Sequence, residues 1–293
     1  MNYTITNEFY TATISDVGAE LISLKHSSGK ELMWQAPSED FWSKHAPLLF
    51  PIAGRIKNSE YTYGGKTYGM KAHGFISKVT FDVSKSCENS ITLVARSSEE
   101  TLAQYPFDFE FTACYTLSGD TLNATITVKN DSDKVMPFTF GWHPAFMLPT
   151  DDSTDIEDYY IDFGAGVKSI DWTPLANGPF ARRYSEPFLL DNGKYVLNEE
   201  QIYKNDTMIF SFVPNAIKLS AGKNFALEMS WTDNTPYLCV WKEPNHEAKF
   251  ICLEPWSGLP QNGLDDECFE TRPMKRLDPG ASESFSTFYK FTV

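Results

Sequence analysis

Apolar and polar residues alternate along most of this chain with a period of two. Phe109, Phe111, Ala113, Tyr115 and Leu117 fall on one face of an extended segment while Glu110, Thr112 and Thr116 fall on the other, the spacing of a strand with one side turned to a core. After Ser118-Gly119-Asp120 the alternation resumes at Leu122, Ala124, Ile126 and Val128, which predicts a hairpin with its turn at the glycine. The pattern returns at Phe225, Leu227, Met229 and Trp231, and again at Phe285, Thr287, Tyr289, Phe291 and Val293. Strands are therefore expected from one end of the chain to the other. Helical periodicity is scarce. Its best instance runs from Ser98 to Gln104, where Ser98 is placed to cap, Glu99 and Glu100 suit a first turn, and Pro106 stops the helix.

The chain has no internal repeat, no low-complexity tract and no Pro/Gly/Ser linker, and the polar segment from Thr150 to Asp158 reads as a loop. Residues 1–293 are thus expected to form one all-β domain, a sandwich with few short helices. In such a fold the strands are scaffold, and a binding site lies across a concave sheet face or among the loops at one edge.

Composition narrows this further. At 293 residues, 42% apolar and 15% aromatic, the chain has ample material for a core, which excludes intrinsic disorder. The net charge of −14, from 39 acidic against 25 basic residues, opposes phosphate backbones and anionic lipid, so neither nucleic acid nor a membrane is an expected partner. A neutral small ligand fits better, although one arginine pair is enough to hold a single phosphate. The five cysteines, Cys87, Cys114, Cys239, Cys252 and Cys268, are scattered without a C-x-x-C spacing, which argues against a disulfide framework and a zinc cluster. The first residues, Met1 to Gly18, alternate polar and apolar with no basic segment leading an apolar one, so a cytoplasmic location is expected.

Histidine is the informative residue, because there are only five: His26, His45, His73, His143 and His246. His73 precedes Gly74, which lets backbone approach a ligand closely or turn sharply; a histidine bonded to backbone is the alternative. His143 lies in Phe138-Thr139-Phe140-Gly141-Trp142-His143-Pro144. An imidazole among aromatic rings suits proton transfer if burial and a nearby carboxylate balance its pKa, or it simply bonds a carbonyl. Glu254 ends the apolar run Phe250 to Leu253, just before Pro255 and Trp256. A carboxylate there needs a cationic or hydrogen-bonding partner, or is placed for use.

Arg55 is a charge inside an apolar stretch, fit either to grip hydroxyls or to pair with Glu254. Asp206, just before the apolar run from Met208, suits two adjacent hydroxyls or a turn. Trp142, Trp241 and Trp256 fall beside these groups, where indoles stack on the C–H faces of sugar rings, or belong to the core. No metal is expected: His246-Glu247 has no ligand spacing, and the acidic cluster Asp265, Asp266, Glu267 and Glu270 lacks a calcium-loop pattern.

Taken in order, Gly54-Arg55, His73-Gly74, Trp142-His143-Pro144, Asp206 and Leu253-Glu254-Pro255-Trp256 resemble the motif series of the aldose 1-epimerase (galactose mutarotase) family over nearly the whole chain. The His-Gly-Phe, Trp-His-Pro and Glu-Pro-Trp forms are most similar to the bacterial subgroup associated with lactose-utilisation genes. The resemblance implies a galactose-mutarotase-like β-supersandwich and a cofactor-free enzyme that interconverts the α and β anomers of an aldohexose. It also implies Glu254 as base, His143 as acid, and Arg55, His73 and Asp206 as sugar-binding groups, acting in a monomer or homodimer.

The better-studied galactose enzymes follow the first histidine with Gly-Gly, where this chain has Gly74-Phe75, and this leaves the preferred aldose open. Three other readings remain at this point. A hexose-6-phosphate mutarotase requires extra cations, for which Arg182-Arg183 is the evident pair. A non-catalytic sugar-binding protein requires only the pocket. A glycoside hydrolase requires a second carboxyl group beside Glu254, for which Asp206 is the candidate.

Overall fold

The predicted hairpin forms with the register its alternation implies. In the computed structural model, which describes residues 1–148, 155–176, 178–222, 225–245 and 247–293, Phe109–Ser118 pairs with Thr121–Asn130, and Ser118 faces Thr121 across the turn. Every apolar residue of the first strand's alternation is buried and every polar one is partly exposed. The strands predicted near the C-terminus are Phe225–Trp231 and Ser282–Thr292, and they pair with each other. The predicted helix is Glu99–Gln104; Ser98 caps it, accepting from the N–H of Thr101. Of the predicted Thr150 to Asp158 loop, residues 150–154 lie outside the described residues, and Ile156–Asp158 make one 3-10 turn.

Two large antiparallel sheets carry the architecture. One has nine strands, in the spatial order Lys194–Val196, Tyr159–Asp162, Ala216–Ala221, Phe225–Trp231, Ser282–Thr292, Thr121–Asn130, Phe109–Ser118, Ser90–Arg96 and Asp82–Cys87. The other runs Glu186–Leu189, Ser169–Thr173, Thr207–Ser211, Tyr237–Trp241, Phe250–Trp256, Gly141–Trp142 and Leu48–Leu49, with Ala145–Met147 also paired to Phe250–Trp256. The main core lies between them.

Phe50 marks how tightly that core is filled. Its ring meets Phe75, Tyr105, Phe109, Phe111 and Phe138 at centroid distances of 5.2 to 6.1 Å. Each such buried ring contributes about 1.5–3 kcal/mol through apolar burial.

Strand Phe250–Trp256 is buried on both faces, for different reasons. Ile251 and Leu253 point into the main core. Phe250 and Cys252, one residue out of phase, join a small cluster with Trp34 on the opposite face, and Trp256 joins another with Leu49 and Cys239. Glu254 shares the phase of Cys252 and Trp256. The sheet therefore delivers one carboxylate to the face away from the main core, where connecting segments close over it.

Candidate active site

On that face lies a cavity of about 390 Å³. Glu254 and Trp256 reach it from one strand, Trp241 from the neighbouring strand and His143 from just beyond Gly141–Trp142. Gly141 has a packing role: a Cβ there would sit 2.7 Å from the Trp256 ring. The absence of a side chain lets the indole lie flat on the strand beside Glu254.

Glu254 is 1% exposed. One carboxylate oxygen, Oε2, accepts from Trp256 Nε1 at 3.1 Å, and the other, Oε1, lies 3.4 Å from His143 Nε2. Burial pushes the Glu254 carboxyl well above its ordinary value, against the smaller opposing effect of the Trp256 hydrogen bond. Burial holds the His143 imidazole well below its ordinary value, and the neighbouring His73 adds to this. Both groups thus stand in a place that disfavours charge on either.

His143 is clamped by rings. Trp42 stacks on it at 4.8 Å, Trp241 meets it edge-on at 5.4 Å, and His73 does so at 5.7 Å. Its Nδ1 has no hydrogen-bond partner among the described residues, so the nitrogen facing Glu254 is the one engaged.

His73 adopts φ 63°, a left-handed conformation uncommon outside glycine and small polar residues. Its N–H donates to Gly54 O at 2.8 Å, and the Gly54 N–H donates to His73 Nδ1 at 3.2 Å. Because Nδ1 accepts, the ring proton resides on Nε2. His73 is thus a fixed hydrogen-bond donor, and burial, with Arg55 nearby, pushes its pKa down to about 4. Its neutral form is the one present at physiological pH.

Connecting segments build the walls. Arg55 follows Gly54 in one of them, and Asp206 stands at the end of helix Glu199–Asn205 with φ 61°. Arg55 does not pair with Glu254, whose oxygens are engaged by Trp256 and His143. Asp206 ends a helix and lines the cavity.

Trp142 corrects the sequence reading. Its indole points away from the cavity, lies between Tyr115 and Tyr289 in the main core, and donates from Nε1 to Ala46 O at 2.8 Å. The cause is the strand period: Trp142 and His143 are consecutive, so only one of them faces the site. Arg182 and Arg183 do not line this cavity; they line a neighbouring cleft of about 830 Å³ that shares Pro260 with it, and Arg183 pairs with Asp265. His246 lies outside the described residues.

Two lining residues, Trp42 and Lys44, escaped the sequence reading. They sit in an irregular stretch, and the available signal was an aromatic pair, Phe41-Trp42, among polar residues. Trp42 is held by its N–H, which donates to the Glu243 carboxylate at 3.0 Å, and by its carbonyl, which accepts from Trp34 Nε1 at 2.8 Å. Lys44 lies 3.8 Å from Glu20, whose buried carboxylate also accepts from the N–H groups of His45 and Ala46.

His143, Cys252 and Glu254 bring possible ligand atoms within 4.8 Å of one another. Burial pushes the Cys252 thiol well up. What the arrangement offers is acid–base chemistry: a carboxyl oxygen and an imidazole nitrogen 3.4 Å apart beneath indole walls, ringed by polar side chains.

Comparison with known proteins gives a consistent result. The family model for aldose 1-epimerase matches residues 1–290. The plasmid-encoded protein LacX of Lactococcus lactis subsp. lactis is 30% identical over 285 residues, covering 94% of this chain and 93% of its own. Among solved structures, a galactose mutarotase related enzyme from Lactobacillus acidophilus superposes with a TM-score of 0.91 at 33% identity, covering 100% of this chain and 98% of the other. A galactose mutarotase-like protein from Lactobacillus casei ATCC 334 gives 0.92 at 28% identity, covering 99% and 100%.

Proposed function

This chain belongs to the aldose 1-epimerase family, and from that premise we propose that it interconverts the α and β anomers of a free aldohexose, with Glu254 as base and His143 as acid. The observation that carries the proposal is the approach of His143 Nε2 to Glu254 Oε1, 3.4 Å apart at the floor of a hexose-sized cavity.

Mutarotation removes the proton from the anomeric hydroxyl and adds one to the ring oxygen. The bond between C1 and the ring oxygen then breaks, leaving an aldehyde whose C1–C2 bond rotates. In the reacting complex the pair holds one proton, carried by His143 with Glu254 as carboxylate. Glu254 takes the hydroxyl proton while His143 gives its own to the ring oxygen. Closure from the other face returns both protons, so the cycle ends with the same inventory and no cofactor is consumed. His73 donates from Nε2 to a sugar oxygen, Arg55 donates to hydroxyls, and Asp206 accepts from them. Trp42, Trp241 and Trp256 supply apolar surface for the ring's C–H groups. The position of Arg182 and Arg183 on another cleft favours an unphosphorylated sugar.

Anomer exchange followed by NMR on glucose, galactose and glucose 6-phosphate is the direct test. Acceleration of a free hexose is expected, and a strong preference for the phosphate ester would overturn the choice of substrate.

The rate should depend on pH as a bell, because one proton must be held by the pair. Burial raises the pH at which the pair loses that proton, and lowers the pH at which it takes a second. The alkaline edge of the active window is therefore set by the raised carboxyl of Glu254 and the acid edge by the lowered imidazole of His143. The acid limb of kcat/KM is expected well below pH 6.5.

Trp42→Ala should raise KM about fivefold, the loss of roughly 1 kcal/mol of ring contact. It should also move the acid limb upward as water reaches His143. An unmoved limb in that variant would show that Trp42 does not shield the imidazole.

A further inference from the structure

Lys242 follows Trp241, the last residue of a strand that reaches the cavity, yet its side chain is not among the cavity's lining and is 3% exposed. Its ammonium lies 3.0 Å from Glu199 Oε1 and donates to the Tyr203 hydroxyl oxygen at 2.9 Å and to Asn245 O at 3.0 Å. Those contacts use all three of its donors. The Tyr203 hydroxyl in turn donates to Glu199 Oε1. A lysine so deeply buried is tolerated only with such compensation, and the catalytic scheme above gives it no part.

The contacts join two elements that each deliver cavity residues. Glu199 and Tyr203 belong to the seven-residue helix Glu199–Asn205, in which only Ile202 is fully buried. A helix this short, with one apolar anchor, has little of its own to fix its position. Asp206 ends it, with its N–H directed to Tyr203 O at 3.3 Å. On the other side of the ammonium, Trp241 and Pro244 line the cavity, and Glu243 holds the backbone of Trp42.

We propose that Lys242 is a positioning residue that sets the width and register of the sugar-reading wall, by fastening the helix that carries Asp206 to the segment that carries Trp241 and Pro244. The inference rests on the reading of Asp206 as a sugar-binding group. Lys242 touches neither the sugar nor the proton-transfer pair, so its loss acts on binding and leaves the chemical step in place.

Steady-state anomer exchange separates this role from a purely structural one. Lys242→Met is expected to raise KM about tenfold with kcat at saturation within about twofold of wild type, and Lys242→Arg to recover part of the loss. Glu199→Gln keeps side-chain volume and the Asn198 cap, and should shift KM in the same direction to a smaller extent in a variant that folds readily. Combined with Asp206→Ala, Lys242→Met should add nothing to the KM of Asp206→Ala alone, since both remove one interaction.

Wild-type KM in Lys242→Met and Glu199→Gln, or simple additivity with Asp206→Ala, overturns the inference while the reading of Asp206 stands. Wild-type KM in Asp206→Ala withdraws that reading and the inference with it.

Discussion

Glu254→Gln is expected to bind sugar as the wild type does and to lose about 10²–10⁴-fold in kcat, the usual contribution of a positioned base. The amide preserves volume and can still accept from Trp256 Nε1, the bond that Oε2 makes now, so the pocket should keep its shape. What it lacks is a lone pair basic enough to take the anomeric proton. Anomer exchange by NMR with binding by calorimetry separates the two effects, and an active Glu254→Gln would remove the base assignment.

The same substitution should make the fold more stable, in a pH-dependent way. Folded Glu254 keeps its proton to higher pH than the unfolded chain, whose glutamate titrates near 4.5, because burial disfavours its charge. Its contribution to stability is therefore complete below that pH and is lost as pH rises through the folded value. Glutamine has no such loss. The difference in Tm between variant and wild type should be small at pH 4 and grow toward pH 8. A difference that shrinks with rising pH would contradict the account of burial.

Gly74→Ala should be the most damaging single change outside the catalytic pair. Gly74 has φ +72°, and a Cβ there would lie 2.1 Å from the Phe50 carbonyl oxygen and 2.4 Å from its carbon. Neither is a flexible side chain that moves aside. The same carbonyl accepts from the N–H groups of Phe75 and Ile76, while the Phe50 N–H donates to His73 O. The segment that carries His73 thus rests directly on the residue whose ring fills the core. The expected cost is above about 3 kcal/mol, read as a large fall in Tm or in soluble yield. A variant with wild-type stability and activity would mean that the two backbones separate easily.

Much of this was readable from residue order. The hairpin from Phe109 to Asn130, the C-terminal strands and the Ser98 cap follow from local patterns that tertiary packing reinforces. Seven of the eight residues singled out for the site line one cavity. The exception, Trp142, shows the limit of reading by neighbourhood: adjacency to His143 in sequence means opposition to it across a strand. Trp42 and Lys44 carried no periodic signal, because they lie in an irregular stretch held by contacts with residues as distant as Glu243. Helix Glu199–Asn205 escaped for a similar reason, since one buried residue in seven leaves no amphipathic pattern.

The division between floor and walls bears on how such proteins diversify. Glu254, His143 and Asp206 are carried by paired strands or the residue next to one, whereas Trp42, Lys44 and Arg55 stand on connecting segments. Insertions and substitutions in those segments leave the strand register untouched. A lineage can therefore exchange one sugar for another by drift in its loops while inheriting the proton-transfer pair intact.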